Sequence, residues 1–172
     1  MNIILTGMMA TGKSAVGREL ASLLDISFVD TDSLIEDEAG MPITDIFQKH
    51  GEETFRDMEK KMIRSVSRLN NHVIATGGGV VKDPDNMSAL EENGAVICLK
   101  ASAAEIIKRT SGLTDRPLLN IADRESEIKK VMRERKKFYA RADICIDTTG
   151  REAADVAVEI LGLIEGMRED AD

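Results

Sequence analysis

Short apolar runs rich in β-branched residues recur along the chain at Asn2–Thr6, Ser27–Asp30, His72–Thr76, Ala95–Leu99 and Asp143–Ile146, with helix-length segments between them. That alternation predicts a parallel sheet covered by helices on both faces. The helical segments carry their own periodicity. From Glu52 to Leu69 the apolar positions Phe55, Met58, Met62, Ile63, Val66 and Leu69 return at helical spacing among charged residues, so one face of that helix is core. Amphipathic helices are expected from about Ala103 to Thr110 and from about Glu125 to Tyr139, the second carrying Arg133, Arg135 and Arg141 near its end. A last helix spans Ala153–Met167, and Arg168–Asp172 frays. Thr31 is placed to cap a helix ending near Gly40 and Thr44 to cap a short one ending near Gly51, with Pro42 as the break between them. Ser111–Asp123 contains Gly, Pro and polar residues without a sustained period and reads as a mobile excursion from the fold.

With 172 residues, 42% of them hydrophobic, the chain fits one domain with one core. No internal repeat, linker or second-domain boundary interrupts 1–172. Lys and Arg number 23 against 31 Asp and Glu, a net charge of −8. This argues against a general nucleic-acid binder, which needs a basic face. Cys98 and Cys145 sit in apolar stretches and read as small buried hydrophobes, consistent with a reducing compartment. His50 and His72 share no metal-ligand spacing. With neither a basic leader nor 18 consecutive apolar residues, the expectation is a cytoplasmic protein with no membrane partner.

The sharpest chemical signal is Gly7-Met8-Met9-Ala10-Thr11-Gly12-Lys13-Ser14, which matches G-x-x-x-x-G-K-[ST] between an expected strand and an expected helix. Glycines let the backbone wrap a phosphate, while exposed N–H groups and the helix N-terminus supply fixed positive potential. Lys13 can reach the β- and γ-phosphates and the Ser14 hydroxyl can ligate Mg²⁺. Gly7, Ala10, Thr11, Gly12, Lys13, Ser14 and the adjoining Ala15 are therefore candidate nucleotide contacts. A guanine-reading N-K-x-D is absent from the sequence. Asp147-Thr148-Thr149-Gly150 fits D-x-x-G but lies after the last expected strand, where it reads as coincidence.

Further candidates fall where strands end. Asp30-Thr31-Asp32 places two carboxylates at the sheet edge where the phosphate loop opens, one able to stand near Mg²⁺ and the other to take a proton from an attacking hydroxyl. Taken alone, the pair would read equally well as a helix cap. Gly77-Gly78-Gly79 follows the third strand, and three glycines there suggest close backbone approach to a ligand. Arg56 and Arg135 could grip a carboxylate bidentately, although each alone fits a solvated surface. Thr114-Asp115-Arg116-Pro117-Leu118-Leu119 lies in the irregular segment, where an Arg could swing onto a transferring phosphate, or simply belong to a loop.

Together these motifs resemble the shikimate kinase family, small P-loop kinases akin to the nucleoside monophosphate kinases. The resemblance covers almost the whole chain. It rests on the phosphate loop, Asp30-Thr31-Asp32, Phe55-Arg56 with Glu59, Gly77-Gly78-Gly79, Arg116-Pro117-Leu118-Leu119, and Arg135 with Tyr139. It implies a three-layer α/β P-loop fold with a five-stranded parallel sheet, a lid near 111–123 and an acceptor-binding region near 31–61. The implied reaction is ATP-dependent phosphorylation of the 3-hydroxyl of shikimate, on the route to chorismate and the aromatic amino acids. By resemblance Lys13, Asp32 and Arg116 are catalytic, and Ser14 and Asp30 hold Mg²⁺. Asp32, Arg56, Gly77, Gly78, Gly79 and Arg135 bind shikimate, with Glu59 holding Arg56 and with Phe47 and Phe55 as apolar walls. Arg109 lies against the adenine with Thr149–Arg151 in support, and the family implies a monomer. Lys136-Lys137 departs from the family pattern, which suggests an apolar residue or Pro there. The rivals are a related small-molecule kinase such as gluconate kinase, and a nucleotide-binding regulatory protein without turnover.

Overall fold

A computed structural model of the chain describes residues 1–111 and 124–169. The five apolar runs form one parallel sheet in the order β2-β3-β1-β4-β5, made of β1 (Asn2–Gly7), β2 (Ser27–Asp30), β3 (His72–Ala75), β4 (Gly94–Lys100) and β5 (Ile144–Asp147). Central β1 is buried at every residue because both of its faces are covered. Ile3 and Leu5 point to one side with Val73, Ile97 and Ile146, against Val16 and Leu20 of α1 (Lys13–Leu24) and Val156 and Ile160 of α7 (Ala153–Glu169). Ile4 points to the other with Ile74, Val96 and Cys98, against residues of α3 (Ile43–Val66), α4 (Pro84–Glu91), α5 (Ala103–Thr110) and α6 (Arg124–Tyr139). Each such buried side chain stabilises the fold by about 1.5–3 kcal/mol.

A smaller cluster of Ile35, Ile46 and Phe55 joins α2 (Thr31–Ala39) to α3 beyond the edge of the sheet. This satellite core builds the wall on which the acceptor side stands. The span α3 is broken at Gly51 (φ 83°, ψ 169°) into the two helical segments expected, a short one ending near Gly51 and a longer one from Glu52. It begins at Ile43 after Pro42 with no side-chain cap, so Thr44 is not its cap. Helix α2 is capped by Asp30, whose side chain accepts from the Asp32 N–H at 3.1 Å, and Thr31 is already helical. Helix α4 was not expected from the pattern: it is short, starts on Pro84, and is capped by Asp83 accepting from Asp85 N–H.

Arg141 lies just past the end of α6. Cys98 is buried as expected, but Cys145 is exposed, because β5 is an edge strand on which Ile144 and Ile146 turn to the core and Cys145 to the other face. The chain crosses from β1 to β2 on one side and from β3 to β4 on the other, so the topological switch falls at β1 and β3. Ligands of such sheets bind outside the carboxyl ends of the strands at that switch. Gly7, Asp30 and Ala75 are the last residues of their strands, so the three strand-end motifs meet there.

Candidate active site

The phosphate loop leaves β1 at Gly7 and enters α1 at Lys13 through two left-handed residues, Ala10 (φ 59°) and Gly12 (φ 96°, the N-cap). The turn aims backbone N–H groups and the positive end of α1 at one spot. The Lys13 ammonium lies across the loop, donating to the carbonyls of Gly7 and Met8 at 2.8 Å each. Ser14 Oγ donates to Asp30 Oδ2 at 2.5 Å, so the hydroxyl after the lysine and the carboxylate ending β2 already face each other.

Asp32, the second residue of α2, shares a cavity of about 600 Å³ with Lys13, Ser14, Asp30, Arg56, Gly78 and Arg135. The glycine strap is moored by side chains from distant elements. Gly77 N–H donates to Thr31 Oγ at 3.1 Å, and the Gly78 carbonyl accepts from Arg135 Nη1 and from the Tyr139 hydroxyl at 2.8 Å each. A Cβ on Gly77 would stand 2.6 Å from Asp32 Oδ1, and one on Gly79 would stand 2.5 Å from Arg56 Nη1. Glycine at these positions lets the strap approach a carboxylate and a guanidinium together.

Arg56 is held on its own helix by Glu59, whose Oε2 accepts from Nη1 at 2.8 Å, and by Glu52, which accepts at 3.2 and 3.3 Å. Burial pushes the Glu59 carboxyl above its ordinary range; Arg56 acts against this and Asp32 adds to it. Phe47 lines the cavity, whereas Phe55 does not: it is buried behind Phe47 with ring centroids 4.8 Å apart, so it serves as core rather than as a wall. On the far side of the phosphate loop, a cavity of about 370 Å³ is lined by Thr11, Gly12, Ala15, Arg109, Thr148, Gly150 and Arg151.

The structure brings Lys13, Ser14, Asp30, Asp32, Arg56, Gly78 and Arg135 to one cavity and Arg109 and Arg151 to another, and leaves Phe55 out of both. Arg116 and the lid span 112–123 lie outside the described residues. Several ties had no local signal in the sequence. Thr31 moors the strap, Glu36 Oε1 accepts from Ile43 N–H and joins α2 to α3, and Thr148 reaches a partner 137 residues away. Glu52 was within reach of spacing arguments, since it stands one turn before Arg56.

Comparison with known proteins identifies the family. The family model described as shikimate kinase matches residues 9–165. A shikimate kinase of Caldanaerobacter subterraneus subsp. tengcongensis is 48% identical over 160 residues, covering 93% of this chain and 94% of the relative. A shikimate kinase of Geobacter metallireducens is 48% identical over 166 residues, covering 96% and 92%. The structure of a shikimate kinase from Acinetobacter baumannii in complex with shikimate superposes with a TM-score of 0.93 at 36% identity, covering 96% of this chain and 93% of that one. A gluconokinase from Sinorhizobium meliloti reaches 0.63 at 16% identity and shares the fold alone.

Proposed function

The chain belongs to the shikimate kinase family and transfers a phosphoryl group from ATP to shikimate, and we propose that its residues divide the work between the two walls of the 600 Å³ cavity. The phosphate loop wraps the ATP phosphates, with Lys13 turning from its loop carbonyls onto the β- and γ-phosphates. Ser14 Oγ and the Asp30 carboxylate, 2.5 Å apart, fit Mg²⁺, which takes hard oxygens from one or two side chains, water and substrate phosphates. Ser14 would ligate it directly and Asp30 through its water shell. When bound, the ion neutralises charge on the phosphate oxygens.

On the opposite wall Arg56 and Arg135 clamp the shikimate carboxylate. Glu59 and Glu52 hold the first guanidinium, and the Gly78 carbonyl holds the second. The strap Gly77-Gly78-Gly79 offers backbone to the ring, and Asp32 receives the proton of the 3-hydroxyl. As the oxygen–phosphorus bond forms, the bond from the γ-phosphorus to its bridging oxygen breaks, and its electron pair leaves with ADP. Arg116 of the lid stabilises the charge in flight, and Arg109 and Arg151 border the base. On this reading the enzyme is a monomer whose site needs no second chain. Its proposed location is the cytoplasm, where ATP and Mg²⁺ are at hand.

The observation that carries this reading is the meeting of Lys13, Asp32, Arg56 and Arg135 in one cavity. The test is ADP release from ATP and Mg²⁺ with shikimate, gluconate or quinate as acceptor, in wild type and Asp32→Ala. We expect turnover with shikimate alone, reduced about 10²–10⁴-fold in the variant. Comparable turnover with gluconate or quinate would discard the acceptor, and ATP binding without any turnover would make the protein regulatory.

A further inference from the structure

Asp147-Thr148-Thr149-Gly150, set aside on sequence grounds, is a built part of the nucleotide side. The Asp147 carboxylate accepts from Thr149 N–H at 2.8 Å, and Thr149 Oγ accepts from Ser102 N–H at 2.9 Å, pinning the segment to the start of α5. Thr148 lies inside this frame and is 2% exposed. Its N–H donates to Lys100 O at 2.8 Å, extending the β4–β5 pairing by one residue.

The Thr148 hydroxyl has one proton and two acceptors within reach, Thr11 O at 2.8 Å and Lys100 O at 3.1 Å, of which the phosphate-loop carbonyl is closer. Its lone pairs face the Arg109 guanidinium, whose Nη1 donates to Thr148 Oγ at 3.1 Å and to Ala10 O at 3.1 Å. The Arg109 Nη2 donates to Thr148 O at 2.6 Å. Glu105 accepts from Arg109 Nε at 2.8 Å and completes the guanidinium's restraint. One buried hydroxyl thus joins the phosphate loop, the loop after β5 and Arg109.

A trans peptide points its C=O and the following N–H in opposite directions. Turning the Thr11 carbonyl toward Thr148 therefore turns the Gly12 N–H away from it, toward the mouth of the loop. Gly12 is the left-handed N-cap of α1, where small rotations redirect the N–H groups that meet phosphate. We infer that Thr148 is a positioning residue for the nucleotide: its hydroxyl sets the Thr11–Gly12 peptide and, through the same oxygen, the Arg109 guanidinium. This rests on the nucleotide half of the proposed function and is independent of the acceptor's identity.

The test is ADP affinity by titration calorimetry, with Mg²⁺ and no acceptor, for Thr148→Val and Thr148→Ser. The KM values for ATP and shikimate are measured alongside. Valine keeps the shape and leaves the buried Thr11 carbonyl unpaired, so ADP should bind about tenfold more weakly. Serine should stay within about threefold of wild type, as expected if the hydroxyl is what matters. The Gly12 amide resonance should move in the valine variant and remain in place in the serine variant, and the KM for shikimate should stay level in both. If the valine variant does not fold, Thr148→Ala, which adds no methyl against the carbonyl, is measured in its place. Unchanged ADP affinity, equal losses in both variants, or equal rises in both KM values would overturn the inference. Failure of wild type to phosphorylate shikimate would not, because ADP binding is read without it.

Discussion

The two walls of the cavity are built in opposite ways. The donor wall is eight consecutive residues whose internal ties span three to six positions, from Thr11 to Met8 and from Lys13 to Met8 and Gly7. The acceptor wall is assembled by side chains across separations of 46, 57 and 61 residues, from Thr31, Arg135 and Tyr139 to the glycine strap. A phosphate bears oxygens on every side and can be met by backbone N–H groups that any residue carries. A ring acid needs particular side chains at particular places, and only the folded sheet edge brings them there. Damage to the donor wall should therefore appear in chemistry and fold stability, and damage to the acceptor wall in acceptor binding.

Lys13→Ala gives the largest separation. Removing the ammonium that meets the transferring phosphoryl group should lower kcat by about 10²–10³-fold. Shikimate affinity by equilibrium titration should hold, since the Arg56 and Arg135 ties do not involve Lys13. A comparable loss of shikimate affinity would show that the walls are not separable.

The same Gly→Ala change on each wall sharpens the contrast. At Gly7 (φ 139°) the new Cβ would meet the Leu99 carbonyl at 2.3 Å, and neither backbone can step aside. Strain and overlap together should cost on the order of 3 kcal/mol of unfolding free energy, read by urea denaturation. At Gly79 the Cβ would meet Arg56 Nη1, the far end of a flexible side chain. Gly79→Ala should keep its Tm near wild type and raise the KM for shikimate about tenfold by displacing the guanidinium. A stability loss at Gly79 as large as that at Gly7 would refute the distinction.

The same contrast governs what could be read in advance. The five strands were legible because sheet burial on two faces leaves unbroken apolar runs, and the phosphate loop because its motif is contiguous. Asp30 as the α2 cap and Thr31 as the strap's mooring were not, since either residue suits a cap and the choice depends on Gly77, 46 residues away. Likewise Phe47 and Phe55 both read as apolar helical positions, and only the folded structure shows that one faces the cavity and the other is buried behind it. The break in α3 was legible because Gly51 interrupts its pattern as well as its dihedrals. Arg56 and Glu59 were paired through the family resemblance, but the burial that makes the pair consequential was not legible.

That burial yields the smallest effect and the most specific test of the acceptor wall. Glu59 is 3% exposed, and burial raises its carboxyl above the ordinary value of 4.5 despite Arg56. The folded state therefore holds the Glu59 proton more tightly than the unfolded chain does. Its stabilising contribution is complete below 4.5 and is lost as pH rises through the folded value, so at neutral pH the ionised carboxylate is kept at some expense to the fold. Glu59→Gln retains an oxygen that can accept from Arg56 Nη1 and removes the titration. The unfolding free energy of the variant relative to wild type should rise with pH from about 4.5 to the folded value and be level outside that window. Urea denaturation at a series of pH values measures it. A flat difference, or one that falls with pH, would mean that Arg56 fully compensates the buried charge and that the acceptor wall sets its clamp without destabilising the fold.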